Sequence, residues 1–221
     1  MYWITTIWPF SRLGKNFLFY GSRKKNEIAL TFDDGPSKQT DEVLKILTKY
    51  KVKGTFFVIG KKIKENPSAI NKIIKQGSEI GNHSYNHETL SFKPKNFIMN
   101  EIDKTDELLS KYKVKTLIFR PPHGSFSFNL ISIIKEKKMK SIFWDVDPKD
   151  CKCDYNANER ANYILKRAKN GSIIDLHDYA DGIGDNEKLI ELLEIIIPLL
   201  KKRGYNAVTI SDLFNLDKQI M

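Results

Sequence analysis

The feature that most limits this chain is a repeated alternation of short apolar runs with stretches of helical spacing. Residues 28–32, Ile-Ala-Leu-Thr-Phe, have the pattern of a buried strand, and residues 40–50 then place Val43, Leu44, Ile46 and Leu47 on one helix face. The unit recurs. Residues 55–59 read as a strand, Pro67 suits a first helical turn, and the helix it opens runs through Ile70, Ile73 and Ile74 to stop at Gly77. Residues 79–81 start a short third strand, and residues 116–119, 141–144, 172–176 and 206–210 read as further ones, with helical patterns between and after them. Such alternation requires parallel pairing with right-handed crossovers, which leaves an open doubly wound sheet or an α/β barrel. The count of about seven strands is close to the eight of the standard barrel.

A chain of 221 residues can bury one core large enough to fold unaided, and no linker-like tract or fixed-period repeat divides it. A single domain over residues 27–221 is expected, preceded by an aromatic and basic segment, residues 1–26. That segment is broken by Pro9, Arg12 and Lys15 before any apolar run reaches the length of a secretory core or a membrane span. Two readings of it stand: packing on the domain, or contact with a membrane surface through residues 1–25. Without a clear signal peptide, a cytoplasmic or membrane-associated location is expected, with the cell envelope as the alternative.

The 37 Lys+Arg against 27 Asp+Glu give a formal charge of +10, which favours anionic surfaces. Lysines such as Lys61-Lys62, Lys137-Lys138 and Lys201-Lys202 fall on predicted helix faces, as a solvated surface would have them. No nucleic-acid module signature is present. Cys151 and Cys153, the only cysteines, are separated by one residue and are poorly placed to pair, so no disulfide framework marks an oxidising compartment.

Parallel α/β folds gather their chemistry at the C-terminal ends of strands, and the polar residues of this chain collect there. Asp33-Asp34 follow the first strand, His83 and His87 the third, then come Arg120, Asp147 and His177-Asp178. His83 and His87 are four apart, which on a helical turn would point both imidazoles at one divalent cation. Of the adjacent carboxylates one can bind the metal while its neighbour takes a proton from water, and Gly35-Pro36 turn the chain away. Two His and one carboxylate suit hydrolytic zinc or non-haem iron, and their setting on alternating strands and helices favours hydrolysis. His177 supplies a second acid/base group, able to give a proton to a leaving amine.

Five stretches taken in order resemble the polysaccharide deacetylases, the NodB homology domain, over residues 27–213. They are Thr31-Phe32-Asp33-Asp34-Gly35-Pro36, His83-Ser84-Tyr85-Asn86-His87, Arg120-Pro121-Pro122-His123-Gly124, Trp144-Asp145-Val146-Asp147-Pro148-Lys149-Asp150 and Leu176-His177-Asp178. The resemblance implies a distorted (β/α)7 barrel and a divalent metal, zinc before cobalt or nickel, on Asp34, His83 and His87. It makes Asp33 the base, oriented by Arg120, which Asp147 holds in turn, and His177 the acid. Substrate would meet Pro122, the backbone N–H of His123 as an oxyanion donor, and Leu176 as a wall of the acyl pocket.

The implied activity is hydrolysis of N-acetyl groups from N-acetylglucosamine-type residues of a glycan, peptidoglycan or chitin-like. The alternatives are a deformylase or deacylase of a lipid-linked aminosugar, or a silent carbohydrate-binding relative; retention of Asp33 and His177 speaks against the last. Two departures from the family pattern bear on cleft shape: His123 stands where Tyr is usual, and Cys151 where Trp is usual. Asp175 is a further charge that could face either the cleft or solvent.

Overall fold

The computed structural model describes residues 15–149, 156–178 and 186–216; Cys151, Cys153 and residues 1–14 of the aromatic segment lie outside the described residues. Among the described residues there are eight strands: β1 (Phe17–Leu18), β2 (Glu27–Gly35), β3 (Thr55–Val58), β4 (Glu79–Asn82), β5 (Ile118–Phe119), β6 (Lys140–Ile142), β7 (Ile173–His177) and β8 (Asn206–Val208). The helices are α1 (Thr40–Lys49), α2 (Gly60–Glu65), α3 (Pro67–Gln76), α4 (Lys95–Ser110), α5 (Phe128–Glu136), α6 (Ala157–Arg167), α7 (Asn186–Lys202) and α8 (Ile210–Phe214). The helix expected from Pro67 ends at Gly77, whose φ of 84° is the left-handed cap that glycine adopts without strain.

The strands are parallel, in the order β1-β6-β5-β4-β3-β2-β7. Two features curl this sheet into the distorted barrel expected. Past β6 the chain crosses to β7, where Val146 pairs with Ile174, so the open edge is bridged. β2 carries β7 along one edge, while its other edge is shared, with β8 beside Glu27–Ala29 and β3 from Thr31 onward. β1, inside the segment separated by sequence at residue 26, joins β6, so the folded body reaches back to residue 17.

Alternation along the strands separates an outer core from an inner one. Outward residues of β2, β3, β4 and β7, including Leu30, Phe32, Phe56, Ile80, Ile174 and Leu176, pack under α1, α3, α6 and α7. A second outer cluster joins Phe17, Phe119 and Phe143 to α4 and α5. Inside the barrel Ala29, Phe57, Ile118, Ile142 and Ile173 form an apolar layer, closed below by Ile210 and Leu213 of α8. Gly81 leaves room for it: a Cβ there would stand 2.4 Å from the Phe57 ring. Two residues further along those strands, the same inward positions become Thr31, Arg120 and Asp175, and the polar site sits on that apolar floor. No helix among the described residues is long and apolar enough to cross a membrane.

Candidate active site

Consecutive residues of a regular strand point to opposite faces, yet Asp33 and Asp34 reach the same site. The register of β2 against β3 explains this: Asp33 pairs with Phe57 and Gly35 with Val58, so Asp34 is the extra residue of a bulge, at φ 69°. Gly35 is required behind it, because a Cβ there would lie 2.3 Å from Oδ2 of Asp178.

His83 and His87 do not share the helical turn expected of their spacing. They flank a loop after β4 in which Ser84 and His87 have φ of 67° and 62°, and the two rings lie 4.9 Å apart. Glu101, buried on α4, fixes this loop by accepting from the N–H groups of Tyr85 (3.2 Å) and Asn86 (2.7 Å) and from the Asn86 side chain (2.8 Å). A carboxylate beside the apolar stripe Ile98, Ile102 and Leu109 is the signal by which the sequence could have disclosed it.

Asp34 Oδ1 lies 3.0 Å from His87 Nε2 and 3.4 Å from His83 Nε2. Ligands about 2.0–2.1 Å from a tetrahedral cation are about 3.3 Å from one another, so the spacing suits a divalent metal. The polar inventory agrees. His83 Nδ1 is 2.7 Å from the carbonyl of Arg120, which can only accept, so the proton is on Nδ1 and the Nε2 lone pair faces the carboxylate. Asp34 Oδ1 is itself buried without a hydrogen-bond partner, a costly arrangement that a cation relieves. Burial pushes the Asp34 carboxyl up; protonated His83 and His87 would outweigh it and hold the carboxyl well below the usual range, and with both Nε2 lone pairs free a cation takes the place of those protons. A divalent metal fits these three residues.

Behind the triad lies Arg120, with 0% of its surface exposed. Its Nη1 donates to Asp33 Oδ1 (2.7 Å), Asp175 Oδ1 (2.8 Å) and Thr31 Oγ1 (2.8 Å), while Nε and Nη2 reach the carbonyls of Ile142 and Phe143, each at 3.3 Å. The guanidinium lies 4.2 Å from the Phe57 ring centroid and 5.3 Å from that of Trp144. Arg120 thus holds Asp33, as expected, but the residue that holds Arg120 is not Asp147. Asp147 accepts from the Lys149 backbone N–H at 2.7 Å, and the second carboxylate on the guanidinium is Asp175. The physical reason is parity: Asp175 is an inward position of β7, whereas Asp147 follows the stretch where the chain leaves the barrel wall to bridge to Ile174.

Parity also corrects Leu176. It is fully buried in the outer core beneath the helices, so it is no wall of a pocket at the barrel mouth. His177, next along β7, pairs in register with Asp33, and side-chain atoms of Asp33, Asp175 and His177 lie within 4.8 Å of one another. Asp178 faces away, accepting from Thr40 Oγ1 (2.5 Å) and Ser37 Oγ (3.2 Å); burial pushes its pKa up to about 6 despite these bonds.

Pro122 and His123 occupy a tight turn closed by bonds from Gly124 N–H to Pro121 O (3.1 Å) and from Ser125 N–H to Pro122 O (2.9 Å). Neither bond uses the His123 N–H. His123 has φ 56°, and its exposed ring is centred 4.5 Å from that of His87, above the metal triad. Beside His87 opens a cavity of about 570 Å³ whose walls carry Lys38, Lys61 and Lys62 against Glu65. Two lysines expected on a plain solvated face therefore border the site.

Comparison with known proteins agrees with this geometry. The polysaccharide deacetylase family profile matches residues 20–142. A peptidoglycan-N-acetylglucosamine deacetylase of Bacillus cereus is 36% identical over 189 residues, 84% of this chain and 87% of that protein. The crystal structure of a peptidoglycan N-acetylglucosamine deacetylase, Bc1960, superposes with a TM-score of 0.90 at 33% identity, covering 96% of this chain and 99% of that one. A family 4 acetyl xylan esterase from Clostridium thermocellum, solved with a cobalt ion, gives a TM-score of 0.77 at 33% identity over 85% of this chain and 90% of that one. Fold, ordered motifs and these likenesses coincide, and the chain belongs to the polysaccharide deacetylase family.

Proposed function

We propose that this chain is a zinc-dependent deacetylase that removes N-acetyl groups from the aminosugars of peptidoglycan. The observation that carries the reading is the set of ligand atoms on Asp34, His83 and His87, with the Asp33 carboxylate and the His177 imidazole beside it. A divalent cation on that triad supplies a Lewis acid for the acyl oxygen and makes water a better nucleophile at neutral pH. Two imidazoles and one carboxylate at tetrahedral spacing favour zinc, with cobalt as a working substitute.

The chain's own residues handle the protons. Asp33 is anchored through Oδ1 to Arg120, and its Oδ2 is turned to the ligand side, 3.7 Å from His83 Nε2, where it takes the proton of the attacking water. The His123 N–H, which neither bond of its turn uses, serves as a donor to the oxygen of the tetrahedral intermediate. His177 gives the proton that lets the sugar nitrogen leave as an amine. The nearly dry setting of Asp33 strengthens each of these interactions.

The lysine-walled cavity supports peptidoglycan over a neutral glycan, because stem-peptide carboxylates, and lactyl carboxylates that carry no peptide, would meet Lys38, Lys61 and Lys62 there. The test is acetate release from peptidoglycan fragments, chitooligosaccharides, acetylxylan and a lipid-linked aminosugar, with formate also measured. Peptidoglycan fragments should give a kcat/KM about tenfold or more above the neutral glycans, an advantage that shrinks as salt rises. Equal rates on neutral oligosaccharides would refute the substrate, and no acyl release from any of them would refute the activity.

A further inference from the structure

We propose that Asp175 is a positioning residue for the catalytic base, occupying the place on Arg120 that sequence resemblance gives to Asp147. The inference rests on the deacetylase reading and deepens it. Ile173, two residues earlier on the same face of β7, belongs to the apolar layer of Ala29, Ile118 and Ile142, and Asp175 stands where that face of the strand turns polar. A carboxylate there, 2% exposed, is costly unless something holds it. What holds it is Arg120 Nη1, at 2.8 Å, the same nitrogen that binds Asp33 at 2.7 Å.

The geometry gives this shared nitrogen a function. The guanidinium is held on its other edge by the carbonyls of Ile142 and Phe143 and lies over the rings of Phe57 and Trp144, so its remaining freedom is a tilt about that edge. Asp175 and Asp33 draw Nη1 from two strands at once and set the tilt. Asp33 Oδ1 is thereby placed, and Oδ2 is kept toward the triad. The groups facing Asp175 are Arg120, Asp33, His177 and Asp147, and Arg120 is the cation among them to which it is bonded. Burial and the Asp33 charge both push the Asp175 pKa upward, so what it contributes to Arg120 is an acceptor oxygen at a fixed place, which an amide can also provide.

The experiment compares Asp175→Leu, Asp175→Asn and Asp147→Asn on the metal-loaded protein, with zinc stoichiometry and thermal melting recorded for each. Asp175→Leu removes the acceptor and should lower kcat about tenfold or more, with KM within about twofold and zinc still bound. Asp175→Asn, which keeps an acceptor oxygen, should recover kcat to within about threefold of the parent, and Asp147→Asn should do the same. A wild-type kcat in Asp175→Leu, an equal loss in Asp147→Asn, or a failure of Asp175→Asn to recover would overturn the proposal.

A second readout is independent of turnover. In nitrogen NMR the Arg120 guanidinium should show two separate Nη signals in the parent and in Asp175→Asn, and merged signals in Asp175→Leu. If the parent released no acyl group the deacetylase reading would fall, while these signals would still decide whether Asp175 holds Arg120.

Discussion

Replacing Arg120 by lysine keeps the charge and removes the fork, and the structure sets what that should cost. An ammonium has three donors and can still serve Asp33, Asp175 and Thr31, so the ion pairs survive. The carbonyls of Ile142 and Phe143 lose their side-chain donors, and each buried acceptor left unmet costs roughly 1–3 kcal/mol. Both bonds are long, at 3.3 Å, so the lower end applies and the two together come to about 2 kcal/mol. Loss of the planar contact with Phe57 adds about 0.5–1 kcal/mol. Urea unfolding of the metal-free protein should therefore show Arg120→Lys less stable by about 2–3 kcal/mol. Without the fork Asp33 also loses its orientation, so kcat should fall by about a hundredfold with zinc still bound. A variant within about 0.5 kcal/mol of the parent that also kept its kcat would show that the Arg120 fork neither stabilises the barrel nor orients Asp33.

Further outcomes follow from the same contacts. Leu176→Ala should cost about 2–5 kcal/mol in stability and leave KM within about twofold, because the side chain is in the outer core; a large KM change without destabilisation would return it to the acyl pocket. Glu101→Ala strips the acceptor from three donors that shape the His83–His87 loop, and calorimetry should find zinc bound about 10–100 times more weakly. The Asp178 carboxyl moves from an ordinary 3.8 to about 6 on folding, a preference for the proton worth about 3 kcal/mol. The folded state binds that proton more tightly, so this stability is complete below about pH 4 and is lost as pH rises through about 6. In the metal-free protein the parent should thus lose stability relative to Asp178→Asn across that window, and a constant difference would contradict the burial argument.

Much of this was legible in the sequence because it depends on periodicity and strand ends. Apolar runs of four or five residues alternating with amphipathic helices fix parallel pairing, and the ends of those runs name Asp33, Asp34, His83, His87, Arg120 and His177 without reference to tertiary contacts. What escaped depends on how a strand is turned. Leu176 and Asp175 are neighbours, and which one enters the barrel is decided by registry with Thr31 and Phe32 of β2, information that a single run does not contain. The bulge at Asp34 is likewise a property of two strands, and it brings adjacent carboxylates to one site. The His83–His87 spacing suggested a helical turn, but two left-handed residues and the buried Glu101 shape the loop instead. β1 was hidden because two residues are too short to show a period.

The proposed deacetylation depends on a divalent cation held by Asp34, His83 and His87. It is tested most directly by stripping the protein with a chelator and adding zinc back during acetate release from peptidoglycan fragments. The stripped protein should have negligible activity, recovery should saturate at about one equivalent of zinc per chain, and Asp34→Ala should not recover. A stripped protein as active as the untreated one, or zinc recovery in Asp34→Ala equal to that of the parent, would contradict this dependence.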